Sequence, residues 1–380
     1  MRKVRRLLTK TNLGNRFENS FTEGGNMVSV SKQLDFSGDL ALKTPFQLRK
    51  EAFLAELRCS SGKYKRYIGT PLRYAGGKTL AVGHIVELLP DKLERIISPF
   101  FGGGSFEIAC AKELGIEVKG FDIFELLVNY WRHQFSEPEK MYKYLKKYPP
   151  TREGFQEIKA VMKAHWKKEK IIKNNVKLAA LFYFNHNTSY GPHFLGWPSS
   201  VYLQEERYMT MIEKSRRLSL NNITVECDTF ENVFKKYPND FFYCDPPYYL
   251  EGDSKTFVGL YPHRNFPIYH NGFKHELLRD LLLKHKGGFI LSYNDCSVIR
   301  EWYNNIPFKT PSWQYTLSQG DTRIGENRLR DNNGSHIKKS HELLIYKLPE
   351  QKAKGRQNWQ NADYRAPMHE KSGKLAMMTP

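Results

Sequence analysis

Hydrophobic and polar positions alternate along this chain in blocks that switch between two periods. From residue 67 onward a dense pattern begins, with an apparent helix over Thr79 to Leu89. Ile96-Ile97 reads as a short strand running into Pro99-Phe-Phe-Gly-Gly-Gly-Ser105, followed by a helix from Phe106 to Leu114. Val118 to Phe121 is a second strand ending at Asp122, and a helix over 124–135 follows. Strand, glycine turn, helix, strand, acid is the order of a βαβ unit. Residues 137–215 break the alternation with Lys-rich helical stretches and a Gly/Pro/aromatic loop at 185–200. Strands resume at 223–225 and 241–244, and a polar-aromatic loop runs from 248 to about 272. Then come helix 273–285, strand 288–292, helix 296–304, a strand near 313–317, a loop over 319–336 and a last strand, Glu342 to Tyr346. The pattern predicts a doubly wound α/β domain, 66–136 and 216–348, interrupted by a basic helical insertion, 137–215. Residues 1–65 read as a polar extension with one helix near 45–58, and 349–380 as a basic tail.

Charge narrows the partners. Lys and Arg total 59 against 40 acids, a formal charge of +19 over 380 residues. That excess points to a polyanion, nucleic acid first, with a ribosome-associated or membrane-surface protein as the alternative on charge alone. Seven lysines and one glutamate lie within 159–177. Lys163, Lys167 and Lys168 are the candidates for phosphate contact. Asn187 and Tyr190, in a stretch of amide, imidazole and aromatic groups, are candidates for base edges. The five cysteines are dispersed and no Cys/His pattern suits a metal. No apolar run approaches the roughly 18 residues of a membrane helix. The basic start lacks the apolar core of a secretory signal and resembles an organelle transit peptide only weakly.

The candidate chemistry sits at strand ends. Phe241-Phe-Tyr-Cys244 runs into Asp245-Pro246-Pro247-Tyr248. A carboxylate can accept from an exocyclic amine, prolines shape a rigid turn with a free carbonyl, and a ring can stack on an extruded base. The plain alternative is a strand followed by a Pro-Pro turn. Gly102 and Gly104, with Phe100 before them, let backbone approach a cofactor closely. The dinucleotide fingerprint is absent, since Glu107 stands where its third glycine belongs. Asp122 suits ribose hydroxyls, with a helix N-cap as its alternative. Asp228 suits an adenine amine, again against an N-cap. Tyr74, Gly76, Gly77 and Lys78 fail as a P-loop because Leu72 occupies the first glycine position, but Lys78 at a helix start suits a carboxylate.

Together these pieces resemble the Dam-like, D12-class adenine-N6 DNA methyltransferases. Pro71 to Thr79 resembles the N-terminal cofactor motif, Pro99 to Ser105 the P-F-x-G-x-G-S turn, Phe121-Asp122-Ile123 the ribose motif, and Asp245 to Tyr248 the catalytic motif. Phe257 and Tyr261 resemble the aromatic pair over the target base, and Lys338-Lys339 with Glu342 to Tyr346 the closing segment. Ser98 departs from the pattern, where the family often has an acid. The resemblance covers about 67–348. It implies a Rossmann-like S-adenosylmethionine-dependent methyltransferase fold and S-adenosyl-L-methionine as donor. Asp122 would hold the ribose, with Ile123 next to it in the cofactor site, Asp228 the adenine, and Gly102, Gly104 and Lys78 the methionine end. Asp245 and the Pro246 carbonyl would take the target amine, and Tyr248 would stack on the base. It further implies double-stranded DNA as substrate, recognised through the insertion, and a bacterial or phage protein acting in the cytoplasm, with an organelle or nucleus as the alternative in a eukaryote. A cognate restriction endonuclease fits that setting but is not inferable from this chain. An RNA-adenine or cytosine-N4 enzyme, and a catalytically silent DNA-binding protein, are the competing readings.

Overall fold

The computed structural model describes residues 43–59, 63–249, 272–311 and 342–349. Phe257 and Tyr261, the strand expected near 313–317, Lys338-Lys339 and most of the basic tail lie outside these residues. Helix α1 (Pro45–Leu57) forms where expected; Thr44 caps it in a reciprocal box with Gln47, which satisfies two of the amides a helix start leaves open. Helix α2 (Val82–Glu87) is shorter than the 79–89 pattern suggests. The Lys78 carbonyl accepts from the amides of both Ala81 and Val82, so the chain makes a tight turn before the helix begins.

Among the described residues seven strands form one sheet: β1 (Arg95–Ser98), β2 (Glu117–Asp122), β3 (Ile223–Cys227), β4 (Phe241–Cys244), β5 (Phe289–Asn294), β6 (Phe308–Lys309) and β7 (Glu342–Lys347). Their order is β3-β2-β1-β4-β5-β7-β6. The first five are parallel, and β7 runs antiparallel to both neighbours. The central strands β4 and β5 are apolar runs buried on both faces, as a covered parallel sheet requires, while β2 and β3 toward the edge alternate buried and more open positions. The strand order reverses between β1 and β4, and ligands of open α/β sheets bind outside the carboxyl ends of the strands at such a switch point.

Helix α3 (Ser105–Ala109) continues through a π-type turn, Cys110–Leu114, between β1 and β2. Helix α4 (Glu125–Ser136) follows β2; α5 (Pro138–Leu145), α6 (Arg152–Trp166), α7 (Asn175–Asn187) and α8 (Glu205–Arg216) follow in the basic region. Helix α9 (Phe230–Lys236) lies between β3 and β4, α10 (His275–Lys284) precedes β5, and α11 (Ser297–Trp302) follows it. The basic region is not a loosely tethered lobe. α4 packs along α7, with Tyr130 stacked on Tyr183 at 5.6 Å, and every residue from Leu178 to Asn187 is buried. One hydrophobic core joins these helices to α1, α3 and one face of the sheet. A second covers the opposite face through α9, α10 and α11. Among the described residues no helix is long and apolar enough to cross a membrane.

Candidate active site

The site is assembled from three strand ends and one turn. At the end of β1 the chain enters Pro99-Phe-Phe-Gly-Gly-Gly. Gly104 takes φ +62°, and a Cβ there would stand 2.7 Å from the Phe101 ring; glycine alone accepts both conditions at little cost. Gly103 lies under Tyr74, whose Cβ would be 2.6 Å from a Cβ on the glycine. The Phe101 amide donates to the Phe121 carbonyl at 2.8 Å, so the turn is tied to the adjacent strand.

Asp122 ends β2 and organises this turn. One carboxylate oxygen accepts the Gly102 amide at 3.0 Å and the other the Phe124 amide at 3.0 Å. The second bond resembles the N-cap alternative, while the first does what a plain cap would not: it couples β2 to the glycine turn. Burial pushes the carboxyl upward, opposed by the amides of Phe124, Gly102 and Ile123. Each oxygen has a further lone pair for a ribose hydroxyl. Ile123, next in sequence, is 42% exposed, an apolar side chain left in solvent beside a buried acid. Asp228 lies alongside, its amide donating to the Asp122 carbonyl at 3.3 Å. Its own carboxylate accepts from the Thr229 amide and the Asn232 side chain, and the N-cap of α9 is Thr229. Phe100 packs against Phe230 and Phe273 at 5.7 and 5.6 Å, forming an aromatic wall near Asp228. Carboxylate, exposed apolar side chain and Cβ-free turn fit the ribose, adenine and methionine parts of S-adenosylmethionine.

Asp245 follows β4, on the other side of the switch point. Lys78 reaches it from the N-terminal segment: the ammonium is 2.8 Å from Asp245 Oδ1, donates to the Gly76 carbonyl at 3.1 Å, and stands 5.0 Å from the centre of the Tyr248 ring. The sequence suggests a cofactor carboxylate as the partner of Lys78; in the structure its partner is the motif's own acid. Burial raises the Asp245 carboxyl and Lys78 opposes the rise. Tyr248 is 9% exposed, and its hydroxyl donates to Glu342 Oε1 at 2.6 Å. Pro246 and Pro247 make the connecting turn, and Tyr249 is held by Asn294 through its carbonyl at 2.8 Å.

Two buried acids at this centre have no signal of their own as site residues in the sequence. Glu342, the first residue of β7, accepts from Tyr248 and, at 3.1 Å, from the Ser292 hydroxyl; burial holds its carboxyl up, at about 7. Glu107 on α3 accepts from Ser98 at 2.6 Å, and burial lifts it to about 8. A carboxyl is therefore present beside Ser98, supplied from the helix instead of from the strand. The available hint is an acid in an otherwise apolar stretch, Phe106-Glu-Ile-Ala-Cys110.

The basic region contributes at one edge. Arg73 donates to the carbonyls of Asn187 and Ser189 at 2.6 and 2.9 Å and lies 3.4 Å from the centre of the Tyr202 ring. Tyr74 stacks on His186, whose imidazole burial drives down to about 3, so that it is neutral. Asn187 corrects an expectation. It is fully buried, its side-chain amide accepting from the Arg73 backbone and donating to the Pro71 carbonyl, both at 3.0 Å; it braces the loop and has no free edge for a base. Tyr190, by contrast, is 72% exposed, as is Trp197 at 77%, the two joined by a bond from the Tyr190 amide to the Trp197 carbonyl. Lys163, Lys167 and Lys168 lie at the end of α6 and just beyond it, all three exposed, with Lys167 3.7 Å from Glu169. Among the described residues no cluster of His, Cys, Asp and Glu suits a metal ion.

The fold, with an acid closing β2 and a Pro-Pro motif closing β4 on either side of the switch point, defines a Rossmann-like methyltransferase. A model of the D12 class N6 adenine-specific DNA methyltransferases matches residues 74–318, and the chain belongs to that family. The type II methyltransferase M1.LlaDCHI of Lactococcus lactis subsp. cremoris is 26% identical over 251 residues, covering 60% of this chain and 82% of the relative. The modification methylase StsI of Streptococcus sanguinis is 25% identical over 77% of this chain, and the type II methyltransferase M.FokI of Planomicrobium okeanokoites 26% over 70%. The match spans less than half the length of the last two, 44% and 43%.

Proposed function

We propose that this chain transfers the methyl group of S-adenosylmethionine to N6 of an adenine extruded from double-stranded DNA. The observation that carries the proposal is the position of Asp245: a carboxylate at the switch point, across from the ribose-type acid Asp122, with the Pro246 carbonyl next to it. S-adenosylmethionine supplies an already activated methyl group on its sulfonium. The difficulty lies in the adenine amine, whose lone pair is delocalised into the ring. Asp245 accepting one N–H and the Pro246 carbonyl the other favour the pyramidal amine that in-line attack needs. This stabilises the transition state more than the ground state and fixes the orientation of two reactants.

Asp122 holds the ribose; Ile123, Asp228 and the Phe100 wall hold the adenine; and Gly76, Gly77, Gly102 and Gly104 admit the methionine end. Tyr248, held by its hydroxyl, provides an aromatic surface for the base, with Lys78 standing over the ring until the base enters. Lys163, Lys167 and Lys168 contact phosphates, and Tyr190 meets the DNA near the target. The test is methylation of a random duplex library with labelled cofactor, followed by mapping of modified bases. The expected product is N6-methyladenine in one sequence context, lost in Asp245→Ala while DNA binding persists. Methyl transfer to RNA or to cytosine, or normal transfer by Asp245→Ala, overturns the proposal.

A further inference from the structure

Lys78 is 4% exposed and has two carboxylates within reach, the half-buried Asp245 at 2.8 Å and the buried Glu342 at 3.9 Å. Glu342 is the more buried of the two, 1% exposed in its side chain against 21% for Asp245. In the structure the ammonium sits on Asp245 and over the Tyr248 ring. It therefore occupies the place an exocyclic amine needs, a nitrogen donating to that carboxylate above that aromatic ring. The two cannot use the same oxygen and the same ring face at once. An ammonium forced off Asp245 without another anion would be a buried, unpaired charge, which proteins tolerate poorly.

We propose that Glu342 is a positioning residue that receives Lys78 when the target amine takes Asp245; the inference rests on the adenine-methylation reading above. The geometry suits the exchange. Glu342 Oε1 faces Lys78 and the Tyr248 hydroxyl together, and Oε2 is fixed by Ser292 on β5. Its backbone is in register opposite Asn294, so the carboxylate is held by a strand pair. A shift of the ammonium by about an ångström, from one acid toward the other, frees Asp245 and keeps the positive charge paired. Among the described residues, the charged groups around Glu342 are Lys78 and Asp245, with Tyr248 and Ser292 as neutral donors, and Glu107 lies in the same buried region. Glu342 ionises near neutral pH because of burial, so the arriving ammonium also holds it in the charged form.

Glu342→Gln tests this, because the amide keeps an acceptor for Tyr248 but no charge for Lys78. The expected result is a cooperative melt, unchanged affinity for S-adenosylmethionine and for DNA, and a single-turnover rate lowered about tenfold or more, a factor of ten being about 1.4 kcal/mol. Glu342→Asp recovers part of the rate, and it carries the test alone if the Gln variant does not fold. A second readout needs no turnover: with 13C-labelled glutamate carboxyls, the Glu342 resonance titrates near neutrality in the free protein. It shifts to lower pH on adding target DNA with a non-reactive cofactor analogue. A Glu342→Gln protein at the wild-type rate, or a titration unmoved by DNA, overturns the proposal. A wild-type protein that methylates no DNA adenine overturns the underlying reading instead.

Discussion

The Lys78 ammonium lies 2.8 Å from the Asp245 carboxylate, joining the turn before α2 to the first residue of the motif that follows β4. This pair links the two halves of the parallel sheet across the switch point. Removing the cation leaves Asp245 and Glu342 without their shared partner. Breaking a buried pair from one side costs about 3–5 kcal/mol. Lys78→Met is therefore expected to lower unfolding free energy in urea by that order at neutral pH. The deficit should shrink in acid, where both carboxyls take up protons and no longer repel. A variant as stable as the wild type at pH 7 would contradict the pairing.

The glycine turn makes a second expectation. Gly104→Ala must accept φ +62° and a Cβ 2.7 Å from Phe101. A non-glycine residue in such a conformation costs about 1–3 kcal/mol, before the ring moves. Because the turn is also bonded to Asp122 through Gly102, distortion here should weaken cofactor binding more than DNA binding. Calorimetry with S-adenosylmethionine, against a DNA mobility assay, separates the two; equal losses would place the turn outside the cofactor site.

Much of this architecture is legible in the residues, and the limits have a physical pattern. Asp245 can be placed because it ends a short apolar run abruptly, and Asp122 because it closes the strand that follows the glycine turn and its helix, in the order of a βαβ unit. In sequence, α7 reads as part of a recognition lobe because its neighbourhood is lysine-rich. Its buried surface extends all the way round, from Leu178 to Asn187, which leaves no amphipathic stripe to reveal that it packs on α4. Asn187 looks like a loop amide in sequence; only the fold brings Pro71 and Arg73 against it. The Lys78–Asp245–Glu342 cluster draws on three distant segments, and local periodicity carries no information about such contacts. Glu342 in particular stands at the head of Glu-Leu-Leu-Ile-Tyr, where an acid normally marks an exposed strand end.

The lysines at the end of α6 lead to a salt-dependence prediction. If Lys163, Lys167 and Lys168 neutralise phosphates, changing all three to Gln removes up to three counterion-release events. The slope of log affinity against log salt should then fall by about 0.9 for each phosphate no longer neutralised, with sequence preference unchanged. Tyr190→Ala should do the reverse, altering discrimination between sites with little change in slope. Titrations at several salt concentrations on target and non-target duplexes measure both. An unchanged slope in the triple variant would assign these lysines to solvation.

Glu107 offers a test of stability that does not involve substrate. Its carboxyl is raised from 4.5 to about 8, chiefly by burial, with the Ser98 bond opposing. The sign follows from proton counts. Between pH 4.5 and about 8 the folded protein keeps this proton while the unfolded chain has released it, so stability falls as pH rises through that window. The contribution is fully present below the unfolded value and gone above the folded one. Glu107→Gln keeps the size and an acceptor for Ser98 but has no proton to lose. Relative to the wild type, the variant should therefore gain stability steadily from about pH 5 to 8, by up to about 1.4 kcal/mol per pH unit. Urea melts at about pH 5, 6.5 and 8 read the difference directly. Parallel curves would mean that Glu107 is ionised in the folded protein, and that a cation neutralises it where the fold shows a serine.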